Sequence, residues 1–224
     1  MDVIKFNLSG KYDDLDNGVI EKAVDIIQKG GSIVYPTDTV YGLGVNATRK
    51  DSIERLFKIK KRPFSKPIPI IVKDMEMAKS LVYLDKKKEE ILNSLWPGPV
   101  TVILNKRVSC KLPSNLTANK DTIGLRITDH PFVDELMQKL EVPISATSAN
   151  ISGESPMHSS REVIQAFEKS YPRPDFILDA GDLVNTSPST LVDLTTGQPR
   201  ILRMGPGTKT DLLKILEEIG RAHV

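Results

Sequence analysis

One cysteine, Cys110, stands in the 224 residues. That excludes an internal disulfide framework and suits a reducing compartment. Histidine is as sparse: His130, His158 and His223 are scattered, with no second ligand at helical spacing, so a zinc site has no support. No apolar run approaches the roughly 18 residues that a bilayer span needs. Asp2, Asp13, Asp14 and Asp16 interrupt any signal-peptide core. The simplest location is cytoplasmic, away from membranes. Aromatic residues make up 5% of the chain, few for a protein that stacks single-stranded bases. No G-x-x-x-x-G-K-[ST] occurs, and Gly205-Pro-Gly207-Thr-Lys209-Thr210 fails as a phosphate loop because its Gly-Lys pair is split. Gly42-Leu-Gly44-Val-Asn-Ala47 matches a dinucleotide fingerprint literally but not in context, since Pro36 to Tyr41 separates it from the preceding strand. With no G-x-S-x-G and no Cys–His pairing, covalent acyl transfer is unsupported. The sequence offers no nucleophile.

What it has is cations in an unusual concentration. The whole chain carries a formal charge of +2, yet no acidic residue lies between Glu54 and Asp74, where Arg55, Lys58, Lys60, Lys61, Arg62, Lys66 and Lys73 all fall. Pro63, Pro67 and Pro69 stop a helix from running through this stretch. It reads as a helix carrying Arg55 to Lys60, a fixed turn, and an apolar strand near Ile68 to Val72. Such a turn sets several cations at a strand edge, where a polyanion could meet them; a solvated charged connection is the plainer alternative.

Around that stretch, helix and strand signals alternate. Val19, Ile20, Ala23, Ile26 and Ile27 recur at helical spacing before the stop Gly30-Gly31. Asp51 is placed to cap a helix whose apolar face is Ile53, Leu56 and Phe57. Further helices are expected around Met75–Leu81, Lys86–Leu95, Pro131–Leu140, Arg161–Lys169 and Thr208–Gly220. Strands are expected at Ser32–Tyr35, Ile68–Val72, Val100–Leu104, Ile123–Ile127, Pro143–Ala146 and Phe176–Leu178. A last pair, Leu191–Leu194 and Arg200–Met204, flanks the turn Thr196-Gly-Gln198. Length and alternation together predict an α/β domain with a large, mixed sheet.

Hydroxyls and arginines recur at the ends of these strands. Thr37 and Thr39 follow the first. Thr122 and Arg126 flank another, and Arg126 alternates with Leu125 and Ile127, so it faces away from them. Ser145, Thr147, Ser148 and Asn150 follow a third, Ser187, Ser189 and Thr190 precede a fourth, and Arg203 sits on the last. Each cluster alone has a structural explanation as turn or cap chemistry. Their recurrence at strand ends, where α/β sheets bind ligands, favours a small-molecule site.

Five segments carry a resemblance: Gly30-Gly-Ser-Ile-Val-Tyr-Pro-Thr-Asp-Thr-Val-Tyr-Gly-Leu-Gly44, Lys60-Lys-Arg62-Pro63, Ser148-Ala-Asn150-x-Ser152-Gly153, Ser189-Thr190-x-Val192-Asp193 and Leu202-Arg203-x-Gly205. In this order they resemble the YrdC-domain family of threonylcarbamoyl-AMP synthases, across about residues 16–215. Longer members add a C-terminal domain that 224 residues cannot contain, so the chain looks like the single-domain form.

The resemblance implies a twisted, largely mixed sheet with flanking helices around a basic concave cavity. It implies a nucleotidyl transfer in which L-threonine, bicarbonate and ATP give threonylcarbamoyl-adenylate and pyrophosphate, the first step toward N6-threonylcarbamoyladenosine in tRNA. By motif match, Lys60, Arg62, Ser148 and Asn150 form the catalytic signature. Lys60, Arg62, Lys66, Thr122, Ser148, Ser155 and Arg203 would meet ATP, with Mg²⁺ carried on the triphosphate. Thr39, Arg126, Thr147 and Ser189 would hold threonine, Arg126 taking its carboxylate. Lys61 replaces the glycine of the family's Lys-Gly-Arg-Pro, Ile71 aligns with a polar threonine contact of many members, and the segment before Ser155 is one residue short. The partners implied are the three substrates, a downstream threonylcarbamoyl transferase complex, and tRNA or double-stranded RNA. A non-catalytic RNA-binding relative and a carbamoyl-handling paralogue with another acceptor are the competing readings.

Overall fold

The computed structural model describes residues 1–5, 17–184, 187–196 and 198–206; the helix expected at Thr208–Gly220 lies outside them. The first helix, α1 (Asn17–Gln28), buries Val19, Ile20, Ala23, Val24 and Ile27 along one stripe. It ends in a Schellman motif, in which Gly30 adopts φ 86°, its N–H bonds Ile27 O and the next N–H bonds Ile26 O. Helix α2 (Lys50–Lys60) ends the same way, with Lys61 at φ 49° in the left-handed position and Arg62 N–H on Phe57 O. Glycine is the natural occupant of that position, which is where the family's motif has it. Asp51 is not the cap expected of it. Arg49 occupies the cap position, and Asp51 in the first turn pairs with Arg49 at 2.6 Å and accepts the Ser52 N–H.

Helices α3 (Met75–Leu81) and α4 (Lys86–Leu95) are capped by Asp74 and Asp85, each accepting an N–H at 2.8 Å. Helix α5 (Pro131–Lys139) opens on proline, and α6 is Ser160–Glu168.

The strands divide into two mixed sheets rather than one. The first contains, in spatial order, β1 (Asp2–Lys5), β9 (Phe176–Asp179), β2 (Ser32–Tyr35), β3 (Gly42–Val45) and β8 (Thr147–Ser148). The second runs β11 (Arg200–Arg203), β10 (Thr190–Asp193), β5 (Val100–Asn105), β6 (Thr122–Arg126), β4 (Ile70–Ile71) and β7 (Ile144–Ser145). The split occurs at the end of the strand expected at Pro143–Ala146. Ala146 gives its N–H to Pro69 O at 2.7 Å; β7 before it pairs antiparallel with β4, and β8 after it pairs antiparallel with β3. The chain steps from one sheet to the other there, and an Asn46–Ile144 bridge ties the sheets at the same seam.

Three strands escape the sequence pattern: the two-residue β8, which lies beyond the strand expected at Pro143–Ala146, and β1 and β3. β1 is short and mostly exposed and is held by parallel pairing with β9. β3 is Gly-Leu-Gly-Val, in which the glycines make room for an aromatic ring: a Cβ at either Gly42 or Gly44 would come within 2.8 Å of the Tyr35 ring lying across them. That packing accounts for the Gly-x-Gly spacing. Asp175, just before β9, fastens this sheet to α2, accepting from Ser32 N at 2.8 Å and Ser32 Oγ at 3.0 Å and pairing with Arg55 at 2.6 Å.

Candidate active site

Between the sheets lies a cavity of about 370 Å³, within the range of small-molecule sites. Its floor is the face of the second sheet, where alternate residues point the same way: Thr101 and Ile103 of β5, Gly124 and Arg126 of β6, Leu191 of β10 and Arg203 of β11. Register aligns some of these into a row. Thr101 pairs with Leu191, and Leu191 with Arg203, while Arg126 sits one step beyond the Val102–Leu125 pair and so opposite Thr101. An arginine thus stands at each end of a row crossing four strands, the outer two about 14 Å apart at ordinary strand spacing.

The first sheet and its loops make the opposite wall. Leaving β2, the Thr37 hydroxyl donates to Val40 O at 2.7 Å and contacts Thr39 Oγ1 at 2.9 Å. Thr147, Ser148 and Asn150 line the cavity beyond β8, and the basic turn closes a third side with Arg62, Pro67, Ile68 and Pro69.

Arg126 is 5% exposed. It donates from Nε to Gly98 O at 2.9 Å and from Nη1 to Thr39 Oγ1 at 3.2 Å, and Nη2 pairs with Asp38. These bonds use three of its five N–H groups. Burial raises the Asp38 carboxyl above its ordinary value, with Arg126 pulling the other way. Arg203 forks onto Ser189 O at 3.0 and 2.8 Å, and Ser189 Oγ meets Thr101 Oγ1 at 2.8 Å. Burial, and then the charge of Arg126, hold Arg203 below the usual arginine value. Arg62 is anchored by Lys66 O at 3.0 Å and Pro67 O at 2.8 Å, and burial lowers it as well. These three arginines share the lining with Glu154.

Of the residues expected at the site, Arg62, Ser148, Asn150, Arg203, Thr39, Arg126, Thr147 and Ser189 come together in this lining. Lys60, Lys66, Thr122 and Ser155 do not. Lys60 is 1% exposed. Its ammonium donates to Ser148 O and to Asn150 O at 2.7 Å, while its own carbonyl accepts the Ser152 N–H at 2.7 Å. It clamps the end of α2 to the 148–152 segment. Burial, reinforced by Arg62, pushes it down to about 7. Lys66 is exposed on the turn, Thr122 pairs with Asn105 at the far end of β6, and Ser155 borders a separate open cleft of about 780 Å³ against α6. Ile71, where a polar contact is usual, lines the cavity.

Thr37, read among the strand-end hydroxyls, lies in the lining too, whereas sequence reading missed Thr101, Thr117 and Glu154. Thr101 had a signal, being a hydroxyl that alternates with Ile103 on one face of a strand.

Among the described residues, no group of three or more His, Cys, Asp or Glu gathers to hold a metal, and no helix is long and apolar enough to cross a membrane.

Comparison with known proteins places this geometry. The family model Sua5_yciO_yrdC, described as "Telomere recombination", matches residues 25–205. Threonylcarbamoyl-AMP synthase of Pyrococcus abyssi is 34% identical over 205 residues, covering 91% of this chain and 58% of the relative, so the chain spans less than two thirds of that protein. Threonylcarbamoyl-AMP synthase of an Enterobacter species is 34% identical over 184 residues, covering 81% of this chain and 94% of the relative. Among solved structures, P. abyssi Sua5 complexed with L-threonine matches with a TM-score of 0.88 at 30% identity, over 97% of this chain and 62% of that one. E. coli YciO matches with a TM-score of 0.80 at 28% identity, over 96% and 97% of the two chains.

Proposed function

Because the chain belongs to the Sua5/YciO/YrdC family, we propose that it is a threonylcarbamoyl-AMP synthase, joining L-threonine, bicarbonate and ATP into threonylcarbamoyl-adenylate with release of pyrophosphate. The observation that carries the reading is the row across the floor, with Arg126 at one end, Arg203 at the other and hydroxyls between them.

The threonine amine, once deprotonated, adds to the CO2 supplied by bicarbonate and forms a carbamate. One carbamate oxygen attacks the α-phosphorus of ATP as the bond to pyrophosphate breaks. Such a displacement needs positioning and charge stabilisation rather than a protein nucleophile, in keeping with the sequence. Arg126 holds the threonine carboxylate, its fork held steady by Gly98 O, Thr39 and Asp38. Thr39, Ser189 and Thr147 meet the remainder of the amino acid. Arg62 and Arg203 face the phosphates, where their planar forks match oxyanion geometry. Ser148 and Asn150 lie where the two halves meet, on a segment pinned by Lys60. Mg²⁺, when carried on the triphosphate, would offset charge on its oxygens; Glu154 is the acidic residue of the lining and so the one from which a carboxylate could approach it. Lys66, Thr122 and Ser155 would reach the nucleotide only from outside the cavity. The product serves tRNA modification through a downstream transferase, and the protein works in the cytoplasm.

Pyrophosphate release from ATP by the purified protein, with mass detection of the adenylate, tests this. Release that requires both L-threonine and bicarbonate supports the reading. A folded, ATP-binding protein that releases none would overturn it in favour of an RNA-binding or altered-acceptor relative.

A further inference from the structure

The floor of the cavity contains a hydroxyl pair whose inner member has no role above. Ser189 is in the lining, its Oγ lies 2.8 Å from Thr101 Oγ1, and Thr101 is 3% exposed. Ser189 is doubly engaged by Arg203, which donates twice to its carbonyl and approaches its Oγ from Nη2 at 3.4 Å. An arginine can only donate, so toward Arg203 the Ser189 hydroxyl acts as acceptor. Thr101 stands in the row, opposite Arg126 and paired with Leu191, with Ser189 two residues before that leucine. It therefore sits at the join between the arginine facing the carboxylate and the arginine facing the phosphates.

We propose that Thr101 is a positioning residue for the amino-acid substrate: it donates its proton to Ser189 Oγ, and so leaves the Ser189 proton to point into the cavity as a donor to the substrate. With Arg203 and Thr101 both donating to it, the Ser189 oxygen is filled as an acceptor, and its own O–H has only the cavity to turn to. A serine in that state binds an anionic or carbonyl oxygen and refuses a competing donor. The Thr101 methyl packs on the other side, its Cγ2 lying 3.2 Å from where a Cβ on Gly124 would stand. The side chain is thus fixed by packing as well as by its hydrogen bond.

This rests on the synthase reading only in taking threonine as the ligand, and the test separates the two. L-threonine binding is measured by titration calorimetry, independently of turnover, on wild type, Thr101→Val, Thr101→Ser, Ser189→Ala and the Thr101→Val/Ser189→Ala double variant, with thermal melts to show that each is folded. Valine keeps the shape and removes the hydroxyl; serine keeps the hydroxyl and removes the methyl. Thr101→Val should weaken threonine binding roughly three- to tenfold, the range one hydrogen bond carries. Thr101→Ser should restore it to within about twofold. Thr101→Val should add nothing in the Ser189→Ala background, because the effect passes through Ser189. If the valine variant does not fold, Thr101→Ala against Thr101→Ser makes the same comparison. Unchanged binding in Thr101→Val, or a full additional loss in the Ser189→Ala background, overturns the proposal. Threonine binding by wild type without pyrophosphate release sinks the synthase reading and leaves the Thr101 comparison standing; no binding by wild type sinks both.

Discussion

Replacing Lys60 by Met removes an ammonium and leaves a side chain of similar reach. Its two backbone acceptors are unequal. Ser148 O keeps a second donor, the Asn150 N–H at 3.0 Å, whereas among the described residues Lys60 is the one donor to Asn150 O. The variant therefore loses the ammonium's bonds to Ser148 O and Asn150 O and leaves the second of these buried carbonyls without a donor, each loss worth about 1–3 kcal/mol. Against this it no longer desolvates a cation. The net loss at neutral pH should be about 1–3 kcal/mol, lowering the melting temperature by roughly 3–10 °C for a chain of this size. The pH dependence is the sharper signature. In the folded protein Lys60 titrates at about 7, below its ordinary 10.5, so between those values the unfolded chain binds the extra proton. Wild-type stability therefore rises with pH across this interval, by up to about 1.4 kcal/mol per pH unit, and Met at position 60 abolishes that rise. Urea denaturation of both proteins at pH 6, 7.5 and 9 measures the gap between them. The gap should widen with pH. One that stays flat, or narrows, would refute the account of Lys60 as a desolvated clamp.

Arg62→Ala should abolish pyrophosphate release while leaving threonine binding within about twofold, because Arg62 faces the phosphates; retained turnover would remove it from the site. Lys61→Gly relieves a left-handed side chain at a Schellman position and should stabilise by about 0.5–1 kcal/mol, seen as a melting point raised by roughly 1–4 °C. Asp175 would be raised by burial alone, but Arg55 and the Ser32 N–H and hydroxyl hold its carboxyl below the usual value. Its folded value being depressed, its contribution is present above the ordinary carboxylate range and fades as pH falls through it. Asp175→Asn should accordingly be less stable at pH 7 and lose less on acidification toward pH 3, as followed by circular dichroism.

Much of the fold was legible because periodicity and punctuation agreed. The α1 stripe ends on Gly30, and α5 opens on Pro131. β1 and β3 were not legible, since one owes its structure to a distant partner and the other to the ring across its glycines. The division into two sheets turns on a single N–H, that of Ala146, which no local pattern announces. At the site, Arg126 was readable from alternation on β6. The burial of Lys60 had a signal in the sequence: it lies seven residues after Ile53, four after Leu56 and three after Phe57, on the apolar face of α2.

The pairing of Asp2–Lys5 with Phe176–Asp179 joins the first described residues to a strand near the far end of the chain, and Thr190–Asp193 joins Val100–Ile103 in the same long-range manner. Parallel pairings between such distant segments pay their loop-closure entropy before they gain any contact, which makes them late and slow in folding. The cavity draws its walls from Tyr35 through Arg203, so no early fragment can hold it. In refolding, helical circular dichroism should return first and ligand affinity last. A partly synthesised chain would be blind to its substrates until the final strands had docked.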